Sequence, residues 1–171
     1  MTTPLYTGAD WSFPLLDEVY NACEDIALND LNLNVYPNQL EVISSEQMLD
    51  AYASSGLPLY YKHWSFGKQF SAEEQNYRKG YTGLAYEIVI NSNPCINYLM
   101  EENSITTQTT VIAHAAFGHN HFFKNNYLFR QWTDASHIID YLVFAKNYIM
   151  ECEERQGQRI VEQVLDSCHA L

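Results

Sequence analysis

The sequence predicts an α+β fold, mostly helical with a small sheet of short strands. Apolar residues recur at helical spacing through most of the 171 residues, and only two short runs have the β-branched, alternating character of strands. Capping residues, glycines and prolines punctuate the segments between. The length suits one domain, 1–171, and a hydrophobic share of 47% is enough to fill its core.

Trp11 to about Leu31 reads as an amphipathic helix, with Trp11, Leu15, Val19, Ala22, Cys23 and Ile26 on one stripe. Asn29 to Asn38, rich in Asn and ending near Pro37, reads as a connector. Gln39–Ile43 is a short strand. Ser44 with Gln47 forms a capping box for a helix to about Ser54, which Gly56 and Pro58 end. The aromatic run Leu59 to Phe70 reads as a short helix turning into a loop at Gly67. A second capping box, Ser71 with Glu74, then starts a polar helix that stops at Gly80. Leu84 to Ile90 is the best strand in the chain. Asn91–Pro94 is a sharp turn, and Pro94 suits the first position of a helix to about Glu102. Thr106 or Thr107 opens a helix to about Lys124. Thr133 is expected to cap a long helix to Gln156, closed by Gly157, and a last helix runs from about Arg159 to Cys168.

Charge and composition exclude several functions. A formal charge of −12, with only nine Lys plus Arg, repels a duplex or an anionic lipid surface, so nucleic acid is not an expected partner. Apolar runs are too short for membrane insertion, and the first residues lack the basic and apolar regions of an export signal. Cys23, Cys95, Cys152 and Cys168 form no C-x-x-C pair and read as reduced thiols, which makes the cytoplasm the expected compartment.

Chemistry concentrates in Val111–Phe123, where His114, His119 and His121 fall within eight residues of an otherwise apolar helix. Imidazoles in such surroundings need partners, either a polar network or a metal. Val-Ile-Ala-His resembles the start of a zincin helix, but Ala115 stands where the general-base Glu would be, and the next His falls at i+5. On a regular helix His114 and His119 point about 140° apart, too divergent for one ion. A π-bulge near Gly118 would bring them onto one centre, and such bulges favour functional sites. Without it they are separate histidines.

Glu87 is the first-choice carboxylate. It shares one strand face with Val89 and is expected to be half-buried, hence paired, protonated or metal-bound, with Lys68 and Arg78 as alternative partners. His63, Glu41 and Glu151 form a second tier. His63 is read as either a hydrogen-bonded member of its aromatic segment or a ligand. Glu41 repeats the case of Glu87 more weakly, and Glu151 is a third-ligand candidate on a helix face otherwise read as solvated. Asp134 and His137 have i, i+3 ligand spacing.

Several ordered segments together resemble the stage V sporulation protein R family (SpoVR-like proteins). They are Gln39–Met48, His63–Lys68, Gly83–Pro94, His114–Phe123, Trp132–Ser136 and Tyr141–Ile149. Family members are much longer, so the chain resembles their N-terminal portion, and its uncapped end fits a truncation. The resemblance implies a role in spore cortex formation, or in stress physiology in bacteria that do not sporulate, with protein partners in those pathways. It covers His114 and His119 but neither His121 nor His137, which are set aside as site residues. The expected cofactor is a divalent metal, zinc or iron, supporting hydrolysis. The rival expectation is a non-enzymatic scaffold or regulatory partner.

Overall fold

The computed structural model describes residues 3–54 and 56–171, which divide into two compact units. One comprises the chain up to Met48 together with Leu84–Ser136; the other comprises Leu49–Gly83 and His137–Leu171. Among the described residues no helix is long and apolar enough to cross a membrane.

The first unit begins with α1 (Phe13–Asp25), capped by Ser12, whose Oγ accepts from the Leu15 N–H at 3.4 Å. A π turn (Ile26–Asp30) follows, and Asn32 takes a positive φ of 52°, a conformation asparagine tolerates. The sheet is built from β1 (Asn38–Ile43), β2 (Glu87–Ile90) and β3 (Cys95–Met100). β3 lies in the middle, parallel to β1 and antiparallel to β2. The helical run is then α4 (Ile105–Ile112), a second π turn (Ala113–His119), α5 (Asn120–Asn125) and α6 (Tyr127–Trp132). Leu16 and Val19 of α1, Leu99 of β3, and Ile105, Val111, Ile112, Ala116 and Phe117 form its core.

The helix expected from Pro94 to Glu102 is instead β3. Cys95, Asn97 and Leu99 are buried while Ile96, Tyr98 and Met100 are half-buried, a period of two that suits a central strand. Thr133 also has a different role from the one expected. Its hydroxyl donates to the Phe129 carbonyl at 2.7 Å and closes α6, a separate short helix that the residue pattern does not announce.

The second unit holds most of α2 (Ser45–Ala53), then α3 (Trp64–Arg78), α7 (Ile138–Gln156) and α8 (Gln158–His169). The capping box ahead of α2 is reciprocal: Ser44 N–H donates to Gln47 Oε1 at 2.9 Å, and Gln47 N–H to Ser44 Oγ at 3.3 Å. The expected loop at Gly67 and the cap at Ser71 are both absent. α3 runs through them, Ser71 Oγ donates back to the Gly67 carbonyl at 3.1 Å, and Glu74 pairs with Arg78. His63 caps this helix instead, accepting the Ser65 N–H on Nδ1. Gly157, at φ 84°, separates α7 from α8.

The Asn-rich connector is fastened to α5. Asn120, fully buried, accepts the Tyr36 N–H at 2.8 Å and donates to the Tyr36 carbonyl and to Asn38 Oδ1, each at 2.9 Å. His121 Nδ1 accepts the Asn34 N–H at 2.9 Å, and Lys124 donates to the Val35 carbonyl. Asn120→Ala is expected to lower the unfolding free energy by about 1–3 kcal/mol, because it strands the Tyr36 backbone groups; urea denaturation measures this. Burial pushes the Cys95 thiol up to about 11, which keeps it protonated and inert near neutral pH. A chromogenic disulfide reagent should therefore label exposed Cys168 in the native protein and reach Cys95 only after denaturant is added.

Candidate metal centre

Glu87 opens β2, pairing with Leu99 of β3, and Leu99 in turn pairs with Val42 of β1. Residues directly opposite one another in a sheet share a face. Leu99, with Val42 packed beside it, belongs to the core that includes Val111 and Ile112 of α4, so Glu87 stands on the face that the His-bearing helix covers. Glu41 pairs with Tyr98 and therefore lies on the opposite face, where it accepts from Gln39 at 2.6 Å. Strand parity removes it from the site.

The helix winds as a π turn over Ala113–His119. Hydrogen bonds in such a turn span five residues rather than four, so a residue at i+5 comes round above residue i. The His114 and His119 rings lie 4.3 Å apart, centroid to centroid, on the side away from buried Ala115, Ala116 and Phe117. Phe123, one α-helical turn after His119, stacks on it at 5.7 Å and 14°, which orients that ring. Its i+4 spacing from His119 is the sequence signal for this role. Ala115 is fully buried, so a glutamate there would have pointed into the core and not at the site.

The three side chains meet. His114 Nδ1 lies 2.5 Å from Glu87 Oε1, and one ligand atom from each of Glu87, His114 and His119 falls within 4.8 Å of the others. Glu87 has 16% of its side chain exposed and His114 60%, which makes a half-sunken carboxylate under an imidazole that faces solvent. Among the described residues, Glu87 Oε2 is buried and has no hydrogen-bond partner. The cations considered as alternative partners for it are engaged elsewhere: Lys68 lies over the Trp64 ring, and Arg78 pairs with Glu74.

The other candidates have settings of their own. Glu151 makes an exposed i, i+4 pair with Arg155 at 3.4 Å. His63 bonds to Ser65 and Asp166. His121 holds the connector, and His137 stands at the start of α7. Gly118 is not what permits the π turn. Its φ is not positive, and an added Cβ would meet only the Ala113 carbonyl oxygen, at an ordinary 3.7 Å. Gly118→Ala should leave stability within about 1 kcal/mol, since added helix propensity meets no clash; urea unfolding monitored by circular dichroism checks it.

Residues 10–171 match the protein family described as SpoVR like protein. The uncharacterized protein YcgB of Escherichia coli (strain K12) is 64% identical over 170 residues, covering 99% of this chain and 33% of its own length. The chain thus spans about a third of that relative. No solved structure matches it.

Proposed function

Because the chain belongs to the SpoVR-like family, we propose that it acts in the cytoplasm in spore cortex formation or stress physiology, with a divalent metal held by Glu87, His114 and His119. The observation that carries the metal reading is Glu87 Oε2, buried and unpartnered on a carboxylate whose other oxygen already faces an imidazole. A buried anionic oxygen without a donor is costly, and a cation arriving between it and two ring nitrogens relieves that cost. Two imidazoles and one carboxylate suit zinc or iron(II), and three protein donors leave coordination positions open.

An ion bound there would polarise a carbonyl and activate water, the chemistry of metal-assisted hydrolysis. The chain's own part is positional. Strand pairing fixes Glu87, the Phe123 stack fixes His119, and the exposed side of His114 faces incoming substrate. With Ala115 turned into the core and both oxygens of Glu87 engaged, the proton from that water would pass to a neighbouring carboxylate. The negative net charge argues against nucleic acid as the substrate.

A second reading, a scaffold or regulatory partner in the same process, is favoured by α7. That helix leaves Tyr141, Phe144 and Tyr148 more than half exposed, and apolar surface of that size marks partner contacts. Metal analysis of untagged protein from metal-replete cells separates the two. Expected is one ion per chain, with affinity weakened at least about tenfold in His114→Ala and in His119→Ala at unchanged circular dichroism. Wild-type protein without metal, or both variants retaining it, would leave only the scaffold. An absorbance spectrum of the loaded protein distinguishes iron from zinc.

A further inference from the structure

The second unit carries a chain of polar side chains that the metal centre does not use. His63, with 1% of its side chain exposed, contacts Asp166 Oδ1 through Nε2 at 3.1 Å and Ser65 Oγ through Nδ1 at 2.7 Å. Ser65 Oγ lies 3.1 Å from His169 Nδ1, and His169 Nε2 lies 2.5 Å from the Tyr61 hydroxyl. Trp64 Nε1 donates to the same Asp166 oxygen at 2.6 Å.

With both imidazoles neutral, one assignment of protons satisfies every contact. The Asp166 carboxylate can only accept, so His63 carries its proton on Nε2 and presents a bare Nδ1 to the Ser65 hydroxyl. Ser65 Oγ then accepts from His169 Nδ1–H, and His169 Nε2 accepts from Tyr61. Burial, with Cys168 nearby, raises the pKa of the Tyr61 phenol and keeps it a donor. A helix cap alone would explain only the Ser65 N–H on His63 Nδ1, at 3.3 Å. It requires neither a carboxylate behind the ring nor a second imidazole on the hydroxyl.

We propose that Ser65 is an activated nucleophile for acyl transfer, with His63 its general base and Asp166 the group that fixes the tautomer of His63. The arrangement is hydroxyl, imidazole and carboxylate in series, which defines this chemistry on unrelated folds. Ser65 is also the second residue of the 15-residue helix α3, where the positive end of the helix favours charge developing on oxygen. A cleft of about 320 Å³ in the same unit is lined by Tyr61, Ile149 and Met150 with charged Lys62, Lys146 and Glu153 among the rest, so Tyr61 belongs to both relay and cleft. Its mixed lining fits a carboxylic ester with a short apolar acyl group.

The steps balance without an added oxidant or cofactor. Ser65 Oγ attacks the carbonyl carbon as its proton passes to His63 Nδ1. The bond to the leaving alcohol breaks as that proton returns to the alcohol oxygen. Water then attacks acyl-Ser65, His63 takes its proton, and the acid departs as the proton returns to Oγ.

Incubating the 171-residue chain with an alkyl fluorophosphonate and mapping the adduct by mass spectrometry tests this. A single adduct on Ser65 is expected, absent in Ser65→Ala. Its rate of formation should fall about 10²–10⁴-fold in His63→Gln. Asp166, 46% exposed, can be changed to Asn with little risk to folding, and the rate should fall there too. No adduct on Ser65 in folded protein overturns the proposal. So does labelling at the wild-type rate in Asp166→Asn, or in His63→Gln if that variant folds.

Discussion

A helix of 3.6 residues per turn cannot aim residues five apart at one point, and the site depends on how the chain escapes that rule. Over Ala113–His119 the turn is widened, and one helical segment then does two things at once. Its inner side packs Ala115, Ala116 and Phe117 into the core, while His114 and His119 gather on the outer side above Glu87. A regular helix in the same place could bury the same alanines, but it would separate the imidazoles. Two of the three inner residues are alanines, which let the wide turn pack close to its neighbours.

Much of this is legible in the amino-acid sequence. The His114–His119 spacing by itself demands a distortion if the rings are to share a centre, since regular winding points them apart. Glu87 is legible because a carboxylate in Tyr-Glu-Ile-Val-Ile has few ways to be satisfied. The Ser44–Gln47 capping box is legible because both hydrogen bonds are local. Distant partners are what a linear pattern conceals. Cys95–Met100 is a strand because β1 and β2 flank it, and the turn at Pro94 reads equally well as a helix start. Ser71 and Thr133 bond backward to carbonyls four residues earlier, which looks identical in sequence to capping forward. The Ser65–His63–Asp166 series joins residues more than a hundred positions apart, and no local spacing announces it.

The two polar constellations differ in how their charge is compensated. In the second unit every contact in the series from Tyr61 to Asp166 has a donor matched to an acceptor. Around Glu87 the matching is incomplete, because one buried oxygen faces no donor. A complete network holds its side chains still, whereas an incomplete one retains affinity for whatever completes it. That contrast is why the first unit reads as a place for an ion and the second as a proton path needing none.

The fastening of the connector to α5 bears on the imidazoles as well. Asn120 begins the segment directly after the wide turn, and its amide is clamped to both backbone groups of Tyr36. If the widened turn relaxed to ordinary winding, everything beyond it would have to rotate by about one residue's worth, roughly 100°. Asn120, His121 and Lys124 would then swing off the connector together, giving up all their bonds at once. The connector therefore works as a ratchet pawl, holding the helix one notch out of its natural winding. Residues 34–36 thereby hold the segment that directly follows the two histidines.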